Sequence, residues 1–282
     1  MNRPDLALLA DRTGLGGAQI HVRSLASGPA WTQDDGRPVY PASMIKVPLA
    51  VAATTAIHAG RLAWGDRVRV DDRNATMNDA PSPIVAGYEA SVEELVTFML
   101  QRSDNVATNQ LYDLLGREQA TADVRALGLV ETAFRRKLTG QLPLIDDPEA
   151  TGRNTFPARE AAELFAAIAE GGVPEAARLR AILAHSWWDV KLSRGLAPGD
   201  AFAHKTGDTD EVSHDGGILS LAGGTRWIVV VYTELPSSEE NDLRFGAFMR
   251  ALRPHLRAAV QGDEPPERAN GASTSPESWS TG

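Results

Sequence analysis

Three short clusters carry the residues whose types and spacing suit them to nucleophilic catalysis. They are SMIK at residues 43–46, SDN at 103–105 and KTG at 205–207. Residues three positions apart on a helix share a face, so the Lys46 amine can reach the Ser43 hydroxyl. A serine hydroxyl becomes an effective nucleophile when a neighbouring base takes its proton. The first cluster therefore predicts a serine nucleophile that is activated by a lysine.

A lysine acts as a base near neutral pH only where burial or a nearby cation lowers its pKa. We expect Lys205 to supply that cation, provided that the third cluster folds beside the first. A helix that begins near Ser43 would also stabilise the negative charge that develops during attack on a carbonyl. The chemistry indicated is nucleophilic catalysis by a serine.

Each cluster alone also has an ordinary structural explanation. A serine and a lysine three positions apart are common on exposed helices, SDN suits a helix cap, and KTG suits a strand that runs into a turn. These explanations do not account for all three clusters in one chain. Their order and spacing match the signature set of serine β-lactamases and penicillin-binding proteins.

The chain therefore resembles the class A β-lactamases over roughly residues 5 to 260. The segment YPASMIKVPLAVA at 40–52 resembles the helix of the nucleophile. SVEELVTFMLQRSDNVATNQL at 91–111 resembles the second motif, and FAHKTG at 202–207 with IVVVYT at 228–233 resembles the edge strand and its neighbour.

This resemblance implies an α+β fold of the β-lactamase and transpeptidase type, an antiparallel sheet flanked by helices with an inserted helical lobe. The α/β lobe would comprise roughly residues 1–42 and 200–260, and the helical lobe roughly 43–199, within one catalytic domain that covers residues 1–260. Residues 261–282 are poor in apolar side chains and predict a disordered tail.

The resemblance also implies a role for each residue of the first two clusters that carries chemistry. Ser43 would be the acylated nucleophile and Lys46 its proton acceptor. Ser103 would pass a proton to the leaving amine. Asn105 would hold both the substrate amide and Lys46.

The third cluster would bind the substrate. Lys205 and Thr206 would contact the substrate carboxylate through charge-assisted hydrogen bonds, and Gly207 would complete the motif. The backbone N–H groups of Ser43 and Asp208 would form the oxyanion hole.

One departure from the family concerns release of the acyl group. Class A β-lactamases carry a glutamate in the long loop after the second motif, which positions the deacylating water. Here Arg135 and Arg136 resemble the entry of that loop, and NTFP at 154–157 resembles its exit. Near the expected glutamate the chain has four other residues: Lys137, Leu138, Thr139 and Gly140.

Loss of a general base typically costs about 10²–10⁴ in rate, so efficient turnover of β-lactams is in doubt. Asp146, Asp147 and Glu149 are carboxylates in the same stretch. One of them would have to reach the site to replace the base. As solvated loop carboxylates they would take no part.

The histidines show no metal-ligand spacing, and the family needs no metal or other cofactor. His204 flanks Lys205 on the predicted strand, so its side chain should point to the opposite face. We expect His214 and Asp215 to line the rim of the cleft, either in a substrate role or in a structural role in a loop.

Positioning these clusters requires helices and strands at definite places. We expect a helix from near Ser43 to Gly60, a capping box formed by Ser91 and Glu94, and helices over 105–115 and 158–170. Strands are predicted over 18–25, near Trp31, and over 217–221 and 227–233. A last helix over 243–259 should be kinked or divided at Pro254.

The net charge of −9 argues against a nucleic-acid partner, and the absence of cysteine excludes disulfides and a cysteine nucleophile. No apolar stretch has the length of a secretory signal or a membrane span. We therefore expect a soluble, unexported cytoplasmic monomer that binds a small molecule and no membrane, unless the start of the chain is misplaced.

Together these observations predict a serine hydrolase that forms an acyl-enzyme with a β-lactam or a related D-Ala-D-Ala-like amide. Two alternatives remain. The first is a D,D-peptidase or esterase of the same fold, which the missing glutamate favours. The second is a penicillin-binding or sensing protein that keeps its acyl group.

Overall fold

The structure is a computed structural model that describes residues 3–26, 28, 30–138 and 151–261. The strands are β1 (Gln19–Ser24), β2 (Trp31–Gln33), β3 (Arg67–Arg69), β4 (Glu89–Ser91), β5 (Ala201–Asp208), β6 (Ser213–Ser220) and β7 (Arg226–Thr233). The α-helices are α1 (Leu6–Arg12), α2 (Lys46–His58), α3 (Val92–Gln101), α4 (Asn105–Leu115), α5 (Arg117–Arg125), α6 (Ala158–Glu170), α7 (Ala176–Leu183) and α8 (Glu239–Gln261).

An antiparallel sheet with the strand order β2-β1-β7-β6-β5 joins the two ends of the described chain. Its central strand, β7, is buried on both faces. Because successive side chains alternate, Ile228 and Val230 pack into the core with α2 and α6, whereas Val229 and Val231 pack against α1 and α8. The α+β fold with an antiparallel sheet is confirmed.

The outer face of the sheet is covered by α1 and α8. Phe248, Leu252 and Leu256 of α8 are fully buried there. The expectation that Pro254 divides this helix is wrong, because α8 continues through it to Gln261. A proline inside a helix costs about 3 kcal/mol, and burial of large apolar side chains at about 1.5–3 kcal/mol each offsets that cost.

The inner face carries the other helices, and α2 lies at their centre. Side chains on every side of α2 are buried, which explains why its sequence is apolar all round rather than on one stripe. The predicted helices over 105–115 and 158–170 are confirmed as α4 and α6. The predicted helix near Ser43 begins instead with a 3₁₀ turn, Ala42–Ile45, before α2.

The three clusters meet where the helices join the sheet. Ser43 lies in the 3₁₀ turn that precedes α2, and Ser103 lies in the short connection between α3 and α4. Lys205 lies on β5, the edge strand next to that turn. Within the described ranges, no helix is both long enough and apolar enough to cross a membrane. The tail predicted to be disordered lies outside the described residues, apart from the end of α8.

The capping box at the start of α3 is confirmed. The Ser91 hydroxyl accepts from the Glu94 N–H at 3.1 Å, and the Glu94 carboxylate accepts from the Ser91 N–H at 2.8 Å. We expect Ser91→Ala to lower the free energy of unfolding by about 1 kcal/mol, measured by urea denaturation. The reason is that the Glu94 N–H loses the hydroxyl that accepts its hydrogen bond. Ser91→Thr keeps the hydroxyl and should lose much less. Equal losses in both variants would contradict the cap.

Candidate active site

The side chains of Ser43 and Lys46 are brought together at the start of α2. The Lys46 Nζ atom lies 2.9 Å from the Ser43 Oγ atom, as the three-residue spacing predicts. The Lys46 side chain is completely buried, although the cleft next to it reaches Ser43. A nucleophile in contact with solvent and a base shielded from it are therefore adjacent.

Ser103 lies between the two lysines of the site. Its Oγ atom is 3.1 Å from the Lys46 Nζ atom and 3.0 Å from the Lys205 Nζ atom. Its φ of +60° is in the left-handed region, which non-glycine residues rarely adopt. This uncommon backbone conformation occurs in the sharp turn between α3 and α4, the turn that places the hydroxyl between two amines.

Burial and the charge of Lys205 together lower the pKa of Lys46 well below its usual value. Burial also lowers the pKa of Lys205 to about 7, although the Asp208 carboxylate opposes that shift. The lowered pKa favours a neutral amine, which has two N–H donors and one lone pair. It can donate to the Ser103 carbonyl at 2.5 Å and to Asn105 Oδ1 at 2.7 Å, and accept from the Ser43 hydroxyl.

Asn105 is fixed from three directions. Its Oδ1 atom accepts from Lys46, its Nδ2 atom donates to the Met77 carbonyl at 2.8 Å, and its backbone N–H donates to Asn78 Oδ1 at 2.6 Å. Sequence reasoning missed Asn78, because it lies in a segment with no periodicity and matches none of the three motifs. Its side chain joins that segment to the start of α4.

The third cluster lies directly against the turn that holds Ser43. Gly207 is needed there, because a Cβ atom at this position would lie 2.9 Å from the Pro41 carbonyl oxygen and 3.2 Å from the Met44 nitrogen. Lys205 and Thr206 precede it on β5, and both are buried. Asp208 follows it and ends the strand, with its side chain partly exposed to the cleft.

A cleft of about 790 Å³ passes over these groups. Its lining includes Tyr40, Ser43, Met77, Asn105, Leu138, Asn154 and Asp208. The wall therefore combines the helical layer, the end of β5 and both described ends of the long loop. This volume is within the range of small-molecule sites.

Leu138 is one of the four residues near the position where the resemblance places a glutamate, and Asn109 holds its backbone. The Leu138 N–H donates to Asn109 Oδ1 at 2.7 Å, and Asn109 Nδ2 donates to the Leu138 carbonyl at 2.8 Å. Its neighbour Lys137 is bound to Asp113 Oδ1 and Asn74 Oδ1, each at 2.7 Å. The leucine at this point of the cleft wall has no group that can take a proton from water.

The two ends of the loop are joined by Asn154. Its Oδ1 atom accepts from the N–H groups of Arg135 and Arg136 at 2.7 and 2.9 Å. The segments that resemble the entry and the exit of the loop are thus adjacent. The other candidates named for this loop lie outside the described residues: Thr139, Gly140, Asp146, Asp147 and Glu149.

The expectation for His214 and Asp215 is wrong. Both are fully buried on β6 rather than at the cleft rim, because β6 is an interior strand with both faces covered. His204 does point away from Lys205, as expected, and its Nδ1 atom lies 2.7 Å from Asp215 Oδ1. Among the described residues, no group of three or more histidine and carboxylate side chains is placed to hold a metal ion.

Comparison with known proteins agrees with this geometry. The model of the β-lactamase enzyme family matches residues 6–252. The extended-spectrum β-lactamase PER-1 of Pseudomonas aeruginosa is 26% identical over 212 residues. That alignment covers 68% of this chain and 66% of PER-1, so the chain spans just under two thirds of the length of this relative.

Solved structures share the fold over nearly the whole chain. PBP-A is 26% identical with a TM-score of 0.73, and the match covers 93% of this chain and 98% of PBP-A. An acyl-enzyme complex of a PBP-A variant with penicillin G is 25% identical with a TM-score of 0.74, covering 91% and 96%. A β-lactamase from Burkholderia vietnamiensis has a TM-score of 0.79 at 21% identity, covering 92% and 98%. The family match extends from α1 into α8, and on that evidence the chain belongs to the β-lactamase enzyme family.

Proposed function

We propose that the protein is a serine hydrolase that reacts with β-lactams through an acyl-enzyme on Ser43 and releases the acyl group slowly. The observation that carries this proposal is the position of the Lys46 Nζ atom. It is buried and lies 2.9 Å from the Ser43 Oγ atom and 3.1 Å from the Ser103 Oγ atom. One amine therefore contacts both the attacking hydroxyl and the hydroxyl that can serve the leaving group.

Acylation then follows from these contacts. Neutral Lys46 takes the proton of the Ser43 hydroxyl while the Oγ atom bonds to the lactam carbonyl carbon. As the C–N bond breaks, Ser103 gives its proton to the leaving nitrogen and receives one from the Lys46 ammonium. The backbone N–H groups of Ser43 and Asp208 would stabilise the oxyanion.

Substrate recognition is assigned to the other residues that the clusters supply. The Lys205 ammonium and the Thr206 hydroxyl would bind the carboxylate of the lactam, which a charge-assisted contact favours. Asn105 would hold the amide of the acyl side chain from the opposite wall of the cleft. Gly207 would keep β5 close enough to Ser43 for these contacts to occur together.

Slow release is inferred from Leu138. Its side chain lies at the loop entry, near the place where a carboxylate would be needed to activate water, and Asn109 holds its backbone. A PBP-A variant in which glutamate replaces leucine was captured as an acyl-enzyme with penicillin G. The similarity of the whole fold to PBP-A favours a second candidate function, that of a penicillin-binding protein whose natural substrate is a D-Ala-D-Ala-like peptide.

The proposal is tested by incubating the protein with a chromogenic β-lactam while colour and intact mass are recorded together. We expect a burst of about one equivalent, with an adduct that maps to Ser43, followed by slow turnover. Ser43→Ala should abolish both the burst and the adduct. An adduct that forms on Ser43→Ala at the wild-type rate would overturn the proposal.

The role of Leu138 can be tested by restoring a base. We expect Leu138→Glu to speed release of the penicilloyl adduct by about 10²-fold, at the lower end of what a general base contributes. Loss of the adduct is followed by mass spectrometry after removal of free penicillin. Leu138→Gln has similar size and no base, so it should stay close to wild type. Equal acceleration by both variants would show that space for water, rather than a base, limits release.

The two lysines predict how acylation depends on pH. Burial lowers the pKa of Lys205 to about 7, so its ammonium is lost as the pH rises through that value. The second-order rate constant for acylation by a carboxylate-bearing penicillin should therefore fall above pH 7. Lys205→Arg keeps its charge, so the fall should move to higher pH. An alkaline limb that is unchanged in Lys205→Arg would assign it to another group.

A further inference from the structure

Lys191 is a fully buried lysine that the acylation steps do not use. Its Nζ atom lies 2.5 Å from Asp208 Oδ1 and 3.2 Å from the His214 carbonyl oxygen. Asp242 Oδ1 is at 3.9 Å. A buried charge of this kind is costly unless it is paired. The partner of Lys191 that reaches the cleft is Asp208.

That partner, Asp208, occupies an unfavourable place for a carboxylate. It directly follows the KTG cluster, its backbone N–H is assigned to the oxyanion hole, and about 30% of its side chain is exposed in the cleft wall. An uncompensated negative charge there would repel both the substrate carboxylate and the developing oxyanion. The Asp208 charge also acts on Lys205, whose pKa it raises against the effect of burial.

The segment that carries Lys191 is fastened to the sheet by polar groups that have no part in acylation. The Leu192 N–H donates to Asp215 Oδ2 at 2.9 Å. The other oxygen of Asp215 lies 2.7 Å from His204 Nδ1, and His204 Nε2 lies 3.0 Å from Asp189 Oδ1. Burial alone would lower the pKa of His204, but Asp215 and Asp189 raise it to about 9, so the ring is a cation between two carboxylates.

This arrangement leaves Lys191 little freedom to move toward the cleft. Asp189, two residues before it, is bound to β5, and Leu192, the residue after it, is bound to β6. The ammonium itself contacts a carbonyl of β6. The lysine lies beneath Asp208 rather than in the cleft wall. Its ion-pair partner in the cleft wall is Asp208, and its charge also acts on Lys205, whose pKa it lowers.

We propose that Lys191 is a positioning residue that neutralises Asp208 from below and thereby allows the site to accept anionic substrates. The proposal rests on the proposed function, because it concerns the carboxylate that Lys205 and Thr206 would bind. Two lysines near the end of β5 then contribute differently to binding of the substrate carboxylate. Lys205 attracts the substrate carboxylate, and Lys191 cancels the charge that would oppose this attraction.

The test compares acylation of the full-length protein by penicillin G and by its methyl ester, which has the same ring without the negative charge. The measured quantity is the ratio of the two second-order rate constants, obtained from intact mass at about pH 6, where Lys205, with a pKa of about 7, keeps its charge. We expect Lys191→Met to lower this ratio by about tenfold, because one negative charge near the substrate is left uncompensated. Asp208→Asn should raise the ratio, and the double variant should return to within about twofold of wild type.

The opposite shift in Asp208→Asn keeps the proposal testable if Lys191→Met does not fold, which thermal denaturation would reveal. Arg253→Met is the matched control. It breaks a largely buried ion pair of 2.7 Å with Asp200 outside the cleft lining, and the ratio should not change. A shift in that variant as large as in Lys191→Met would overturn the inference.

Three other results would overturn the inference about Lys191. If Lys191→Met slows both probes equally, its role is structural and the inference fails. If the double variant stays as low as Lys191→Met, the lysine contacts the substrate carboxylate itself, which also overturns the inference. A wild-type protein that neither probe acylates would overturn the proposed function, and this inference with it.

Discussion

The buried side chains of Lys46 and Lys205 both contact the Ser103 hydroxyl, and the rest of the site depends on the repulsion between two positive charges held this close. Burial disfavours the charge on both lysines, and the positive charge of Lys205 further lowers the pKa of Lys46. A stable arrangement leaves Lys46 neutral, with its lone pair toward Ser43, and keeps charge on Lys205 where a substrate carboxylate can compensate it. The two amines are kept at this short distance by the helices, by the left-handed turn at Ser103 and by Gly207.

Much of this arrangement could be predicted from the sequence, because it rests on local rules. Helical spacing places Lys46 beside Ser43, and the capping box at Ser91 marks the start of α3. The alternation of side chains along β5 directs His204 away from Lys205. Three short motifs in one order indicate the type of family without any knowledge of contacts.

Other features depend on contacts between distant segments, and no local pattern reports them. His214 and Asp215 were expected at the rim, yet β6 is an interior strand, and only the strand order shows that. The Lys191–Asp208 ion pair joins positions 17 residues apart through the packing of a loop beneath β5. Pro254 was expected to kink or divide α8, but the helix is not divided, because burial of the flanking side chains against the sheet outweighs the missing hydrogen bond.

The account depends most on the protonation state of Lys46, which can be measured directly. The lysine side chains can be labelled with ¹³C at Cε, and the Lys46 signal can be assigned by comparison with Lys46→Arg and followed by NMR as pH is varied. The account predicts a free amine at pH 7, and a pKa that rises when the charge of Lys205 is removed in Lys205→Gln. An ammonium that persists to about pH 10, the value of an exposed lysine, would contradict the account.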